Sequence, residues 1–278
     1  MGSIDQAFIF LCRRVWEMRD KRTDGWPLME SPYSPFLICQ AYLVLVKVMG
    51  PKLMRNRPAY DLRGALVTYN AFQIIFNGWI FYQVCRLTWF KGYSLICQPM
   101  DYSYSEDALQ IIKTGYIYAL SKLIDFLDTL FFVLRKKESQ LTFYHIYHHV
   151  CMFLTIWIGF RFISGGQSAF LPTVNTLVNV GVHIYYLITA MGPRFRKYLW
   201  WKKYLSVVQI LEFLFIGVHG SQMLFVECGF PAAVSWYYVV QVIVFFLLFK
   251  NGHLKSYPQN KKDIDNEKNL NWELNFTK

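Results

Sequence analysis

Apolar residues fall in seven long runs separated by short polar stretches, at about 35–50, 66–87, 111–134, 143–163, 169–190, 204–225 and 234–250. Each run is long enough, or nearly so, to cross roughly 30 Å of hydrocarbon as a helix. The first is short and opens at Ser34-Pro35, and the last ends at Lys250. No internal repeat, low-complexity linker or soluble domain interrupts them. The pattern predicts an all-α integral membrane protein with seven transmembrane helices. Residues 1–34 read as an N-terminal lumenal or interfacial segment, 35–250 as the membrane domain, and 251–278 as a polar, disordered cytosolic tail.

Composition strengthens this reading. Hydrophobic residues make up 54% of the 278 and charged residues 17%, a balance that argues against one or two soluble domains. Aromatic residues reach 19%, with nine Trp and nineteen Tyr, as suits a chain with two membrane interfaces. The net charge of +11 does not point to nucleic acid, because the Lys and Arg sit between apolar runs and read as topogenic charges. Rich segments are 51–65 (Lys52, Arg55, Arg57, Arg63), the loop with Arg135, Lys136 and Lys137, and the loop with Arg194, Arg196, Lys197, Lys202 and Lys203. The intervening loops hold Lys91 and, over 226–233, no base. Alternation of this kind places the C-terminus in the cytosol and the N-terminus outside, against the basic residues of the N-terminal segment. That segment has no cleavage site of the secretory type. Cys97 and Cys228 fall in the two short outer loops, where an oxidising lumen permits a disulfide. The sequon Asn275-Phe276-Thr277 falls in the cytosolic tail and is expected to stay unglycosylated.

Ionisable and amide side chains inside membrane helices are costly, and four stripes of them stand out. Lys122, Asp125, Asp128 and Thr129 share a face of the third helix, with an ion pair as the plain explanation and a spare acid left to orient a histidine. His145, His148 and His149 begin the fourth helix, with spacings of three and four that put all three on one face. Asn175, Asn179, His183 and Tyr186 step along the fifth helix, and Ser206, Gln209, Glu212 and His219 along the sixth; interhelical hydrogen bonding alone would also explain these two. One polar cavity would satisfy all four stripes together.

His-x-x-His-His first suggests a metal. Di-iron membrane enzymes need about eight ligands from three such boxes, and this chain has six histidines in all, one of them, His253, in the tail. Without metal, clustered histidines act as general base, proton donor or nucleophile. Cys151, three residues past His148, leaves a Cys–His condensing pair as a further option, with simple packing as the ordinary reading.

These residues resemble the ELO family of very-long-chain fatty acid elongases over roughly residues 24–250. Asp24-Gly25-Trp26-Pro27-Leu28-Met29 with Ser31-Pro32 looks like the family's D-x-W-P-L-M-x-S-P segment. Tyr69-Asn70 fits its second helix. Residues 122–137, KLIDFLDTLFFVLRKK, are similar to its K-x-x-E-x-x-D-T-x-F-F-x-L-R-K-K, and 145–149, HIYHH, match its histidine box. Gly192-Pro193 and Trp200-Trp201-Lys202-Lys203-Tyr204 resemble the animal branch.

The resemblance implies a barrel of seven helices around an acyl tunnel in the endoplasmic reticulum membrane. It implies condensation of a long-chain acyl-CoA with malonyl-CoA to give 3-oxoacyl-CoA, CO2 and CoA, an acyltransferase step with no metal and no cofactor beyond the malonyl-CoA co-substrate. The catalytic expectation falls on His145, His148, His149, Asp128, His183 and Asn179, with His148 as nucleophile or acyl carrier and Asp128 orienting an imidazole. Lys122, Asp125, Arg135, Lys136, Lys137, Asn175, Lys202, Lys203, Gln209 and Glu212 are expected to meet substrate, the basic ones as ligands for CoA phosphates. Partners would be the two CoA thioesters, membrane lipid and the 3-oxoacyl-CoA reductase, dehydratase and enoyl-CoA reductase of an elongation cycle; a homodimer is left open.

Three departures stand out. Asp125 replaces the usual Glu, and Glu212 replaces a Gln. Without gaps, Asn179 falls where the family's N-x-x-x-H-x-x-M-Y-x-Y-Y pattern has His, and His183 lies one turn further on. A non-catalytic acyl-CoA-binding paralogue or scaffold is therefore the competing reading, and a seven-helix receptor or transporter the third.

Overall fold

The computed structural model describes residues 3–256, which form helices and loops with no strand among them. Of the expected disordered tail at 251–278, residues 251–256 are instead helical, and the remainder, with the sequon at Asn275, lies outside the described residues. The helices are α1 (Ser3–Glu17), α2 (Tyr33–Val44), α3 (Gly50–Met54), α4 (Arg63–Leu87), α5 (Glu106–Ile124), α6 (Phe126–Leu134), α7 (Phe143–Phe162), α8 (Phe170–Ala190), α9 (Lys202–Ser221) and α10 (Ala232–Ser256). A wide turn at Leu45–Met49 joins α2 to α3, and the single residue Asp125 joins α5 to α6. With those two pairs taken as rods, the long rods follow the seven apolar runs to within a few residues at most ends; α10 runs past Lys250. The helix α1 is additional, in the segment read only as interfacial.

Side chains fix where key helices begin. The Ser105 hydroxyl accepts from the Ala108 N–H at 3.2 Å, and Glu106 and Asp107 fill the first turn of α5. The Thr142 hydroxyl accepts from the His145 N–H at 3.1 Å and opens α7. A hydroxyl or carboxylate in these positions satisfies donors that the helix itself leaves free.

The packing closes into a ring. Helix α4 lies along α8, α8 along α9, α9 along α10, α10 against α7, α7 against α5, and α5 against α4. The rod α2–α3 lies outside, against α7 and α6. Apolar and polar faces are inverted relative to a soluble bundle. Phe72, Ile75 and Trp79 of α4, Leu214, Phe215 and Val218 of α9, and Ile243, Phe246 and Leu247 of α10 are exposed, while Asn70, Gln73 and Asn77 of α4 are buried. Two stretches, Tyr33–Met54 and Tyr204–Leu224, are long and apolar enough to cross a membrane by length and composition. In α4 the inward Asn70, Gln73 and Asn77, and in α5 the inward Lys122, are among the residues that lower the average.

One end of the ring is tied shut. Cys97, after α4, is disulfide-bonded to Cys228, after α9. Gly166, at φ 56°, passes so close beneath this loop that a Cβ would lie 2.8 Å from the Pro99 carbonyl oxygen, a position only glycine tolerates. The N-terminal segment covers the same end. Arg161, 1% exposed near the end of α7, donates to the Asp20 carbonyl at 3.0 Å, to the Thr23 hydroxyl and to the Asp24 carboxylate. Its guanidinium also lies 5.0 Å from the Trp16 ring. The Trp157 N–H donates to the Leu28 carbonyl at 2.8 Å, so the run from Asp24 to Met29 serves as the seal of this end.

Candidate active site

The centre of the ring is a single hydrogen-bonded network built from α4, α5, α8 and α9. Lys122 donates to Asp125 at 3.1 Å and to Asn175 Oδ1 at 2.9 Å. The same Asn175 oxygen accepts from the Tyr118 hydroxyl at 2.9 Å, and its amide donates to Glu212 at 2.7 Å. Gln73 donates to Asp125 at 2.8 Å, and the Asn179 amide lies 3.3 Å from Asn77 Oδ1 and 3.4 Å from Asn175 Oδ1. A buried cation, two carboxylates and four amides thus hold one another in place. Such groups are strongly destabilising when left unpaired in a low-dielectric interior.

A cavity of about 260 Å³ opens on this network, lined by Lys122, Asp125, His148, His149, Met152, Asn175 and Asn179. The rings of His148 and His149 lie 5.7 Å apart between centroids. Among the described residues neither ring has a hydrogen-bond partner in the protein, so their nitrogens remain free for a bound molecule.

The three histidines do share a face, with the rings of His145 and His149 4.4 Å apart between centroids, but only His148 and His149 line the cavity. His145 Nε2 is bonded at 2.9 Å to Thr129, and Thr129 at 2.7 Å to the Tyr42 hydroxyl of α2. His145 sits in the first turn of α7, beside α6, which supplies Thr129 directly. The expected single stripe on the third helix is also divided. At Asp125 the chain makes one tighter turn, with the Asp128 N–H on the Asp125 carbonyl at 3.2 Å, and the next face points elsewhere. Asp128 lines a separate cavity of about 640 Å³ with Asn70, Arg135, Gln140, Tyr185 and Tyr186, and among the described residues makes no hydrogen bond to a histidine. Thr129 takes the partner role expected of Asp128.

The fifth-helix stripe resolves in the same way. Asn175 and Asn179 reach the histidine cavity. His183 lies outside its lining: Nδ1 is bonded at 2.9 Å to Asn70, and the ring stands edge-on to Tyr69. On α9, Glu212 is central, Gln209 is outside the lining of these cavities, and His219 bonds Gln167 at 3.1 Å near the disulfide end. Cys151 lies 3.3 Å from the Gln241 side chain of α10, away from the histidine cavity, so no Cys–His pair forms. Of the basic residues, Arg135 reaches the Asp128 cavity, while Lys136, Lys137 and Lys202 are exposed at the same end; the Lys203 side chain lies outside the described ones.

Three members of the network were not singled out from sequence: Gln73, Asn77 and Tyr118. Asn70, Gln73 and Asn77 follow steps of three and four, so the α4 stripe was as visible as those on α8 and α9.

The polar cavity does not stand alone. A second cavity of about 460 Å³ shares His148, Met152 and Asn175 with it, and one of about 680 Å³ shares Thr155, Leu171 and Tyr238 with the second. The walls are continuous from the histidines towards the disulfide end, and they become apolar on the way.

Residues 27–265 match the family described as ELO: GNS1/SUR4 family. A very long chain fatty acid elongase of Aedes aegypti is 43% identical over 244 residues, 87% of this chain and 68% of the relative. Very long chain fatty acid elongase 7 of Drosophila melanogaster is 41% identical over 239 residues, covering 86% and 73%. Very long chain fatty acid elongase 4 of Homo sapiens is 38% identical over 250 residues, covering 90% and 79%. A match across that much of the sequence, at these identities, makes this chain a member of the ELO family.

Proposed function

We propose that this chain performs the condensing step of fatty acid elongation, joining a long-chain acyl-CoA to malonyl-CoA to give 3-oxoacyl-CoA, CO2 and CoA. The observation that carries the reading is the junction of two environments. A polar cavity with two unpartnered imidazoles and a held lysine shares the wall of His148, Met152 and Asn175 with a more apolar cavity deeper in the ring. A long acyl thioester needs both.

In this proposal the acyl chain lies in the apolar cavities with its carbonyl carbon at His148. A ring nitrogen of His148 attacks that carbon, the C–S bond breaks, and CoA leaves as thiolate and takes up a proton. Malonyl-CoA then occupies the polar cavity. Its C–C bond to the carboxylate breaks, CO2 departs, and the electron pair is held as an enolate. Lys122 and the amides of Asn175 and Asn179 provide the positive charge and N–H dipoles that favour such an oxyanion. The enolate carbon attacks the acyl carbon and His148 leaves, with His149 as the adjoining proton carrier. Arg135, Lys136, Lys137 and Lys202 gather at the end where CoA phosphates would approach.

The exposed apolar belt supports a membrane location, and seven crossings with the disulfide end in the lumen of the endoplasmic reticulum fit both the helix lengths and the distribution of charge. The other elongation-cycle enzymes would then act on the product from the same membrane.

Asn179 favours a second reading. It stands in the cavity where the family pattern has His, and an amide does not take up a proton. The alternative is a chain that binds acyl-CoA without turning it over. Membranes containing the full chain, given labelled malonyl-CoA and a range of acyl-CoAs, distinguish the two. The condensing reading expects 3-oxoacyl product; none at any chain length, with normal amounts of protein, would sink it. Comparing Asn179→Ala with His183→Ala shows which residue of α8 serves turnover.

A further inference from the structure

Two carboxyls share one ammonium in the central network, and they are not equivalent. Asp125 holds the ammonium: it accepts from Lys122 at 3.1 Å and from the Gln73 amide at 2.8 Å. Glu212, 6% exposed, is in no ion pair among the described residues, and its one hydrogen bond there is from the Asn175 amide to Oε1 at 2.7 Å. Its side chain lines the 460 Å³ cavity together with His148. The next residue, Phe213, has its ring 6.4 Å from that of His148. A proton on Asp125 would dismantle a buried ion pair, which is costly. A proton on Glu212 removes a buried charge that no paired cation offsets. The bond from Asn175 can stay, because a carboxylic acid still accepts.

The neighbouring helix lacks such a group. Asn175 and Asn179 are the α8 residues in the histidine cavity, and neither amide takes up a proton; His183 is turned to Asn70. Asn179 stands where the family pattern has His, and Glu212 where it has Gln. The proton-accepting group missing from α8 is therefore present on α9, two hydrogen bonds away through Asn175.

We propose that Glu212 is the proton carrier of the condensing reaction, taking the ring proton of His148 when the acyl group is bound and returning it when the group leaves. The inference rests on the proposed function. In the first half a His148 nitrogen bonds to the acyl carbon, the C–S bond breaks, and the CoA thiolate takes a proton from solvent. The proton on the other ring nitrogen passes to the Glu212 carboxylate, which leaves a neutral acyl-imidazole. In the second half the enolate carbon bonds to the acyl carbon, the C–N bond breaks, and the departing ring recovers its proton from Glu212. One solvent proton is consumed per turnover, in the CoA thiol.

The test uses the full chain. With acyl-CoA alone, wild type should release stoichiometric CoA. Glu212→Gln can still accept from Asn175 but carries no proton. Its CoA release, and its turnover with malonyl-CoA, should fall on the order of 100-fold, while thermal stabilisation by acyl-CoA stays at the wild-type level. Adding Asn179→His to Glu212→Gln puts a proton acceptor back on α8, and turnover should recover on the order of 10-fold or more. Infrared difference spectra of wild type, which need no variant to fold, should gain a protonated-carboxyl band when acyl-CoA is added. Glu212→Gln with wild-type CoA release, or CoA release by wild type without that band, overturns the inference and leaves the condensing reaction in place. A fall in rate matched by loss of acyl-CoA stabilisation makes Glu212 a structural group and overturns it as well. A wild type that releases no CoA and forms no product removes the condensing reaction itself, and the inference with it.

Discussion

At its Phe143 end, α7 carries His148 and His149; at its Phe162 end it carries Arg161. All three side chains are costly to enclose, yet their surroundings differ. Arg161 has the Asp20 carbonyl, Thr23, Asp24 and the face of Trp16 around it, and among the described residues Nε is its one side-chain nitrogen with no partner. The two imidazoles have no hydrogen bond among the described residues and line a cavity. Paired charges at one end hold the N-terminal segment onto the ring. Unpaired nitrogens at the other end remain available to a substrate. Cost of burial alone therefore does not separate a structural group from a chemical one; the state of its partners does.

The largest expected effect breaks the comparison at the histidine end. His148→Ala removes the proposed acyl carrier, and turnover should fall by a factor on the order of 100 or more, the range for loss of an acid–base or nucleophilic group. Its thermal midpoint should stay close to wild type, because no protein group loses a hydrogen bond. A large drop in midpoint would show that His148 belongs with Arg161 as a structural group. At the other end, Arg161→Met should cost about 3 kcal/mol of stability, the scale for removing one side of a buried, hydrogen-bonded charge cluster. Activity per folded molecule should persist. A stable but inactive variant would instead connect this end to the chemistry.

Smaller effects sharpen the distinction. Thr142→Ala removes the hydroxyl that caps α7 three residues before His145, and should cost about 1 kcal/mol. If this end is organised for chemistry, turnover should fall by more than stability does, since the first turn also positions the histidines. Denaturation and rate measurements on one preparation decide this.

What the sequence disclosed follows the same division. Helix positions were legible because apolar runs report length, and the loops holding Cys97 and Cys228 were legible because charge alternation reports sides. The central residues Lys122, Asn175 and Glu212 were legible as costly polar groups inside apolar runs. Orientation was not. The face of Asp128 depends on one tight turn at Asp125, and the hydrogen bond of His145 on which neighbour offers Thr129. Neither is encoded in spacing along a single helix. The role of Asp24 was hidden for a related reason: its partner Arg161 lies 137 residues away, beyond any local pattern.

That pair supplies the smallest expected effect. Burial alone would push the Asp24 carboxyl up, but hydrogen bonds from Arg19 and Arg161 outweigh it and hold the group below its ordinary value. A carboxylate depressed in the folded state adds stability that is fully present above its unfolded value, about 3.9. The contribution fades as pH falls through the lower, folded value. Asp24 is 40% exposed in this pair, so solvent screens the interaction and the shift in midpoint should be modest. Thermal midpoints measured from pH 5 down to pH 3 should therefore fall more steeply in wild type than in Asp24→Asn, with the curves converging at the acid end. Parallel curves would mean that Arg161 is held by the Asp20 carbonyl and Thr23 alone. The seal on this end of the ring would then rest on neutral hydrogen bonds, and its contrast with the histidine end would be one of geometry and not of charge.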